Sequence, residues 1–406
     1  MTDVSAAPAT TRVESRRERI SLLSLVTFLT VGLADSQLVA PILPVIALGL
    51  GTGVEEIGTS VTFYSVAAAA AALTVGPSSD RFGRKLFLLA AGGLFAIASA
   101  VGASAGNLTM FFGARMLAGA AAGVISALVV AGVAYLVPYE RRGRAMSWVA
   151  IAYFAAPILI VPLAASMTER YGWRPNYWAF GVASILATLL LAAGYNEDRG
   201  VETTPPAADN GWFGRYRGLL STRSLVAGAG SAFFVSGGFA GFMLYLGAYL
   251  ISRFGLSVPQ VALVFLVCGG FGVLGAFGAG RLADRIGKKS VAIGSSVVLA
   301  MTLFSVPFIA GWPLYAVLAL TGLAALSRVA PLQSLVTELV SAKKRASYVA
   351  IRNTLSQMGI GTTALVGAKL YPIGFDRICW LAGGMSLGAV GLLLLIREPE
   401  EAEPTG

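Results

Sequence analysis

The stretch GPSSDRFGRK, residues 76–85, has a near copy in GRLADRIGKK, residues 280–289. In both stretches a Gly stands four residues before an Asp-Arg pair, which is followed by an apolar residue, a Gly and two basic residues. Two further segments, RAMSWVAI at 144–151 and KRASYVAI at 344–351, match at an offset of 200 residues. The chain therefore contains an internal repeat, and the two charge clusters occupy corresponding places in it.

Long apolar runs flank each charge cluster. Of the 406 residues, 56% are hydrophobic and only 12% are charged, whereas a soluble domain has about 25% charged residues. Runs of about 20 apolar residues predict membrane-spanning helices, and the alternating pattern of a membrane β-barrel does not occur. We predict twelve spans, at residues 21–48, 56–78, 86–105, 109–137, 145–167, 175–195, 223–252, 258–281, 289–310, 312–337, 347–371 and 376–396.

The basic residues are distributed asymmetrically between the two ends of the predicted spans. The tails and loops on the side of the N-terminus carry 22 of the 30 Lys and Arg residues, the other side carries 5, and 3 lie within spans. Because cytoplasmic loops are enriched in Lys and Arg, both termini are predicted to be cytoplasmic. The net charge of +10 is then mostly a topology signal, and we expect no nucleic-acid partner.

The longest internal polar stretch divides the twelve spans into six and six. We predict an all-α membrane protein with twelve transmembrane helices in two pseudo-symmetric six-helix bundles around a central cavity, an organisation typical of secondary transporters. The bundles cover 21–195 and 223–396, with cytoplasmic segments at 1–20, 196–222 and 397–406. The second part of the linker is either a short helix at the membrane interface or a solvated connection.

These features resemble the major facilitator superfamily along nearly the whole chain. The 76–85 cluster is similar to the signature loop of that family, Arg115 in ARMLAGAAAG is similar to its arginine motif in span 4, and TERYGWR (168–174) is similar to a segment of its twelve-span proton-antiporter branch, which exports drugs or metabolites. The fifth-span segment AAPILIVPLAAS (155–166) departs from that branch because it lacks the glycines that efflux antiporters usually carry.

The resemblance implies that spans 1, 4, 7 and 10 line the cavity and that the two charge clusters act as a conformational latch. The residues assigned to the latch are Gly76, Asp80, Arg81, Gly83, Arg84, Lys85, Gly280, Asp284, Arg285, Gly287, Lys288 and Lys289. Asp80 is expected to lie against the positive N-terminal end of span 11. By the same resemblance, Arg84 fastens the two halves on the cytoplasmic side.

Four ionisable residues lie at membrane depth and are the candidate proton- and substrate-binding residues: Asp35, Arg115, Arg328 and Arg352. Asp35 lies about 21 Å into span 1 and at a depth similar to that of Arg115, so an ion pair is geometrically plausible. Burial favours the neutral carboxyl and a nearby cation favours the carboxylate. Asp35 is therefore interpreted as a proton carrier whose pairing with Arg115 competes with substrate, or alternatively as half of a static clamp.

Arg328 and Arg352 have no acidic residue within their own spans. An unpaired cation beside a cavity favours an anionic or zwitterionic substrate. In the alternative interpretation, Arg328 bonds to backbone carbonyls and Arg352 extends to the membrane interface.

The function predicted from these residues is secondary active transport by alternating access, with proton-coupled export of a small organic molecule. The alternatives are uptake or facilitated transport of an anionic metabolite and, in another class, a non-transporting membrane sensor or scaffold. We expect a monomer in the plasma membrane with a small-molecule substrate, the proton as coupling ion, and lipid around it.

No catalytic role, cofactor or metal site is expected. The chain has no histidine and no P-loop sequence, and Cys268 and Cys379 lie inside apolar runs without a CxxC spacing.

Overall fold

The computed structural model describes residues 9–136, 148, 149, 152, 160–195, 219–340 and 345–397. Within these ranges the regular structure is helical, with one short 3₁₀ turn at Val306–Phe308. The helices are α1 Ala9–Leu50, α2 Val54–Phe82, α3 Arg84–Ala103, α4 Leu108–Leu136, α5 Val161–Tyr171, α6 Arg174–Gly194, α7 Arg223–Phe254, α8 Val258–Ile286, α9 Lys288–Ser305, α10 Trp312–Ser327, α11 Val329–Glu338, α12 Arg345–Leu370 and α13 Phe375–Leu394.

Ten stretches of the described helices are long and apolar enough to cross a membrane. They correspond to ten of the twelve predicted spans, and α10 and α11 together form one of them. The other two predicted spans differ from these ten for separate reasons. The eleventh, α12, is 26 residues long but carries Arg352, Asn353 and Gln357 near its middle. Most of the fifth, and residues 196–218 of the predicted linker, lie outside the described residues.

The two copies of the repeated cluster make the same backbone turn. Gly83 ends α2 with φ 90° and Gly287 ends α8 with φ 89°, a left-handed region that favours glycine. Their N–H groups donate to the carbonyls of Ser79 and Ala283 at 2.9 and 3.0 Å. A single glycine therefore reverses the chain between two antiparallel helices in each half, which explains why this glycine recurs at matched spacing.

The last lysine of each cluster binds the C-terminal end of another helix in its own half. Lys85 Nζ donates to the carbonyl of Ala192 at 2.8 Å, and Lys289 Nζ donates to the carbonyl of Ile396 at 2.6 Å. Both bonds join residues that are 107 positions apart. A cation at the last carbonyls of a helix is favourable because those groups lack intrahelical partners. The internal repeat of the sequence thus gives equivalent hydrogen bonds in the two halves.

Glycines allow the closest helix contacts at another pair of equivalent places. A Cβ at Gly119 of α4 would lie 2.1 Å from the carbonyl oxygen of Tyr64 in α2, and a Cβ at Gly322 of α10 would lie 1.9 Å from that of Cys268 in α8. Small residues let helix backbones approach to this distance in a membrane. The pairs α2–α4 and α8–α10 are thus packed backbone against backbone.

We expect Gly119→Ala and Gly322→Ala each to lower the free energy of unfolding by about 1–3 kcal/mol, because the added methyl group meets a backbone oxygen rather than a flexible side chain. The melting temperature of the purified protein in detergent measures this effect. Gly113→Ala, also in α4, is the matched control, since no heavy atom lies within 4 Å of a Cβ there. Equal melting temperatures for all three variants would contradict the close packing.

The two ends of the bundle are named here by the chain segments that they carry. The terminal face is the end at which α13 finishes and where Ser21 donates to the carbonyl of Gly194 at 2.7 Å. The opposite face carries the turns at Gly51 and Gly255.

The N-terminal helices α1–α6 and the C-terminal helices α7–α13 contact each other in the part of the bundle nearer the opposite face. Thr62 of α2 donates to the carbonyl of Gly361 in α12 at 2.8 Å. A Cβ at Gly247 of α7 would lie 2.9 Å from the carbonyl oxygen of Ala40 in α1. Val161 and Ala165 of α5 pack with Ala262 of α8. The two halves are therefore closed against each other at this end.

Candidate functional site

Asp35 and Arg115 form a buried ion pair between α1 and α4. Arg115 Nη1 donates to Asp35 Oδ2 at 2.6 Å, and each side chain is only 2% exposed. The guanidinium also stacks over the ring of Tyr64 in α2, with 4.5 Å from Cζ to the ring centroid. Three helices of the N-terminal half thus converge on one charge pair. The cation–π contact with Tyr64 adds to the stabilisation of the Arg115 guanidinium by Asp35.

Three aromatic side chains close this site toward the opposite face. Phe111, Trp173 and Tyr177 contact one another edge to face, with ring centroids 5.7–5.9 Å apart. Within the described residues, the buried hydroxyl of Tyr177 and the Nε of Arg115 have no hydrogen-bond partner. The pair is therefore sealed from both the lipid and the space between the halves in this conformation.

Uncharged polar side chains are exposed at membrane depth on two other helices. On α1, Thr27 and Gln37 are exposed, and Gln37 lies on the side of the helix opposite Asp35, which points toward α4. On α12, Asn353 is exposed and lies between the side that contacts α7 and the side that contacts α2. Exposed polar groups at membrane depth indicate a polar space toward the terminal face.

Ionisable groups at membrane depth do not predict these uncharged residues. A glutamine in the middle of an apolar span, such as Gln37, is the sequence feature that indicates a polar contact at membrane depth.

Arg328 lies at a break in the tenth span. The α10 helix ends at Ser327 and α11 begins at Val329, so Arg328 is the single residue between two helical segments. Pro331 follows it and has no N–H to donate to the preceding turn. Arg328 is 1% exposed and its Nη2 donates to the carbonyl of Val235 in α7 at 2.7 Å. Among the described residues, its Nε and Nη1 have no hydrogen-bond partner.

Arg352 lies in the same region of the C-terminal half. Its Nη1 donates to the side-chain oxygen of Gln333 in α11, and in the part of the chain that the structure describes its Nε has no hydrogen-bond partner. One turn further along α12, the hydroxyl of Ser356 bonds to that of Ser236 in α7 at 2.5 Å. The contacts of Arg352 and Arg328 thus both lie at the junction of α7, α11 and α12.

The structure therefore brings the four candidate residues together as two groups. Asp35 and Arg115 meet within the N-terminal half, and Arg328 and Arg352 share a junction in the C-terminal half. The resemblance to the family implied that Asp35, Arg115 and Arg328 face the central cavity. In this conformation each of the three is at most 2% exposed.

The described contacts of the latch lysines stay within one half. Besides the bonds of Lys85 and Lys289 to helix ends, Lys288 forms an ion pair with Glu338 at the end of α11. Arg81, Asp284 and Arg285 are exposed. The side chain of Asp80 lies outside what the structure describes, so its contact with span 11 and the joining of the halves by Arg84 stay predictions.

In the described ranges, no group of three His, Cys, Asp or Glu residues is arranged to hold a metal ion. Cys268 and Cys379 are buried free thiols.

Comparisons with known proteins identify relatives of similar length. The family model of the Major Facilitator Superfamily matches residues 21–312 and 228–406. An uncharacterized MFS-type transporter of Bacillus subtilis (strain 168), YwfA, is 28% identical over 294 residues, which are 71% of this chain and 70% of that protein. A probable sugar efflux transporter of Helicobacter acinonychis (strain Sheeba) is 26% identical over 352 residues, which are 84% of each chain.

Solved structures share the fold. The crystal structure of a D-xylose-proton symporter matches with a TM-score of 0.77 over 93% of this chain and 98% of that chain, at 19% sequence identity. This likeness and the family match confirm the predicted all-α membrane fold. The chain is a multi-pass membrane protein that belongs to the Major Facilitator Superfamily of transporters.

Proposed function

We propose that this protein exports a small organic molecule in exchange for protons, by alternating access of a site between its two halves. The observation that carries the proposal is the buried pair of Asp35 and Arg115, joined at 2.6 Å. Asp35 is the one acidic residue of the sequence at membrane depth, away from the ends of the spans. Buried ionisable groups are energetically unfavourable and mark proton pathways more often than they add stability.

The proposed coupling is a competition for Asp35 between Arg115 and a proton. While Arg115 donates to Asp35, the carboxylate is occupied by the guanidinium. Substrate that draws Arg115 away from Asp35 frees the carboxylate to accept a proton. The name of one relative, a probable sugar efflux transporter, supports export.

The conformation described above is proposed to be the one open to the cytoplasm. The excess of basic residues in the loops and tails of the terminal face supports a cytoplasmic location for both termini. The contacts between the halves close the other end. In the described part of the chain, no heavy atom lies within 4 Å of a Cβ at Gly76 or Gly280, the glycines that begin the two clusters.

Uptake or facilitated transport of an anionic metabolite is the second candidate function. It is favoured by Arg328 and Arg352, for which the described residues provide no acidic partner. In either case we propose a monomeric transporter in the plasma membrane.

The direction of coupling is tested with protein reconstituted into liposomes under an imposed pH gradient, using a panel of neutral sugars, organic cations and carboxylates. Proton exchange is expected to accumulate at least one solute in the acidic compartment, because protons leave that compartment as the solute enters it. A protonophore that collapses the gradient is expected to abolish the accumulation.

Accumulation in the alkaline compartment would replace export by proton-coupled uptake. Solute movement that ignores the gradient would leave only facilitated transport, and the absence of movement for the whole panel would contradict transport of these solute classes.

A further inference from the structure

We propose that the C-terminal half holds a binding site for an oxyanion of the substrate, such as a carboxylate, formed by Arg328, Arg352 and the N-terminal end of α11. The inference rests on the proposed transport of a small molecule through the space between the halves. It adds the chemical class of the group that is bound and the residues that bind it.

The C-terminal half has few acidic residues to balance its buried arginines. From residue 210 to residue 397 the sequence contains three acidic residues, Asp284, Glu338 and Asp376, and each lies at the end of a helix. Glu338 is paired with Lys288 and Asp376 with Arg377. The buried guanidinium groups of Arg328 and Arg352 therefore have no counter-charge from their own half, which is unfavourable unless an anion supplies one.

The two arginines also have N–H groups that lack hydrogen-bond partners among the described residues. Arg328 has used one of its three nitrogens, on the carbonyl of Val235. Among the described residues, its Nε and Nη1 and the Nε of Arg352 have no hydrogen-bond partner. Buried N–H groups without partners are rare because each one is unfavourable. A carboxylate accepts two parallel bonds from a guanidinium and satisfies such donors directly.

The break in the tenth span is narrow. Arg328 keeps a helical backbone conformation (φ −82°, ψ −18°), and its carbonyl accepts from the N–H of Leu332 at 3.1 Å. Because Pro331 has no N–H, at most the N–H groups of Val329 and Ala330 are left for a ligand at this end of α11. Val329 and Ala330 are exposed in the same turn. Because the C-terminal end of α10 directly precedes α11, the two helix dipoles largely cancel at this point. The positive charge of the proposed site therefore comes from the side chains of Arg328 and Arg352.

Gln333 lies beside the proposed site. This side chain is exposed and its oxygen accepts one hydrogen bond from Arg352 Nη1. Arg328 precedes Gln333 by about 7.5 Å along the chain at 1.5 Å per residue. A carboxylate that displaces Gln333 from Arg352 is a stronger acceptor than the neutral amide that it replaces, and Arg328 supplies the second guanidinium of the proposed site.

The test uses the purified full-length protein in detergent and a panel of monocarboxylates, each paired with its own neutral primary amide. Binding is measured as the ligand-dependent rise in melting temperature. At least one carboxylate is expected to bind, and its amide is expected to bind about tenfold more weakly or worse. If no carboxylate binds, or if carboxylates and amides bind equally, the proposal is overturned.

Substitution of the arginines assigns the site. Arg328→Met and Arg352→Gln are expected to weaken carboxylate binding about tenfold or more, while Arg377→Gln, which removes an exposed arginine, leaves it unchanged. Arg328→Met is also expected to raise the melting temperature of the ligand-free protein, because it removes a buried charge without a counter-charge. A lower melting temperature with unchanged carboxylate binding would assign Arg328 a purely structural role.

The same preparation in liposomes separates this proposal from the proposed function. Carboxylate binding together with transport that ignores the pH gradient would support the anion site and contradict proton coupling. Gradient-driven transport of a neutral solute, with no preference for carboxylates in binding, would support proton coupling and contradict the anion site.

Discussion

The double substitution Ser65→Cys/Gly361→Cys is expected to stop transport under oxidising conditions, and a reducing agent is expected to restore it. Ser65 lies on α2 and Gly361 on α12, where the two halves meet near the opposite face. A Cβ at Gly361 would lie 3.2 Å from the Cβ of Ser65, a few tenths of an ångström short of the usual separation in disulfides. A disulfide here fixes the closed end, and alternating access requires this end to open.

Ser65 is a suitable position because its substitution breaks no bond that the structure describes. Its hydroxyl is buried without a hydrogen-bond partner among the described residues. Both natural cysteines are buried, so they are expected to compete little for the new thiols. Formation of the disulfide is verified by mass spectrometry of the peptides, and transport is measured in liposomes before and after reduction.

The matched control joins two helices of one half. For Ser99→Cys/Gly181→Cys, a Cβ at Gly181 of α6 would lie 3.5 Å from the Cβ of Ser99 in α3. The hydroxyl of Ser99 is likewise buried without a described partner. Because rigid-body movement of the halves leaves α3 and α6 together, this disulfide is expected to preserve transport. Continued transport with a complete 65–361 disulfide would contradict alternating access by opening at this interface.

The equivalent turns of the two halves could be predicted from sequence. An internal repeat shows which positions are equivalent, and equivalent positions adopt the same backbone conformation. Gly83 and Gly287 were assigned equivalent roles from spacing alone, and they have φ values of 90° and 89°. The depth of Asp35 and Arg115 in their spans made a pair plausible, and the structure places them 2.6 Å apart. Depth along a helix is readable from sequence because each residue adds a constant rise.

The C-terminal site could not be predicted in the same way. The largely apolar stretch 312–337 predicts a single helix, and Pro331 is the residue near Arg328 that indicates a break. The bond between Arg352 and Gln333 depends on the rotation of α11 and α12 about their own axes. Packing against neighbouring helices sets those rotations, and a one-dimensional pattern of apolar residues leaves them open.

Removal of the buried pair of Asp35 and Arg115, one partner at a time and then together, is expected to change the free energy of unfolding strongly. Asp35→Asn leaves Arg115 buried without a counter-charge, and Arg115→Gln leaves Asp35 buried without one. Each single substitution is expected to lower the free energy of unfolding by about 3–5 kcal/mol. The double substitution Asp35→Asn/Arg115→Gln replaces two charges by two neutral amides and is expected to recover most of that loss, because no charge without a counter-charge stays buried.

The exposed pair of Asp376 and Arg377 provides the control for this cycle. Its closest atoms, Arg377 Nε and Asp376 Oδ2, are 3.4 Å apart, and both side chains are at least 36% exposed. Exposed pairs contribute about 0–1 kcal/mol, so Asp376→Asn and Arg377→Gln are expected to leave the melting temperature nearly unchanged. A similar loss of stability in both cycles would show that burial is not the reason for the effect at Asp35 and Arg115.

Transport separates a proton carrier from a static clamp. If Asp35 and Arg115 only hold α1 against α4, the double variant that recovers stability also recovers solute accumulation driven by a pH gradient. If Asp35 carries the proton, the double variant recovers stability but accumulates no solute, because neither amide titrates. We expect the second result, measured in liposomes with the gradient imposed and then collapsed. Gradient-driven accumulation by the stable double variant would rule out Asp35 as the coupling residue and leave the pair with a structural role.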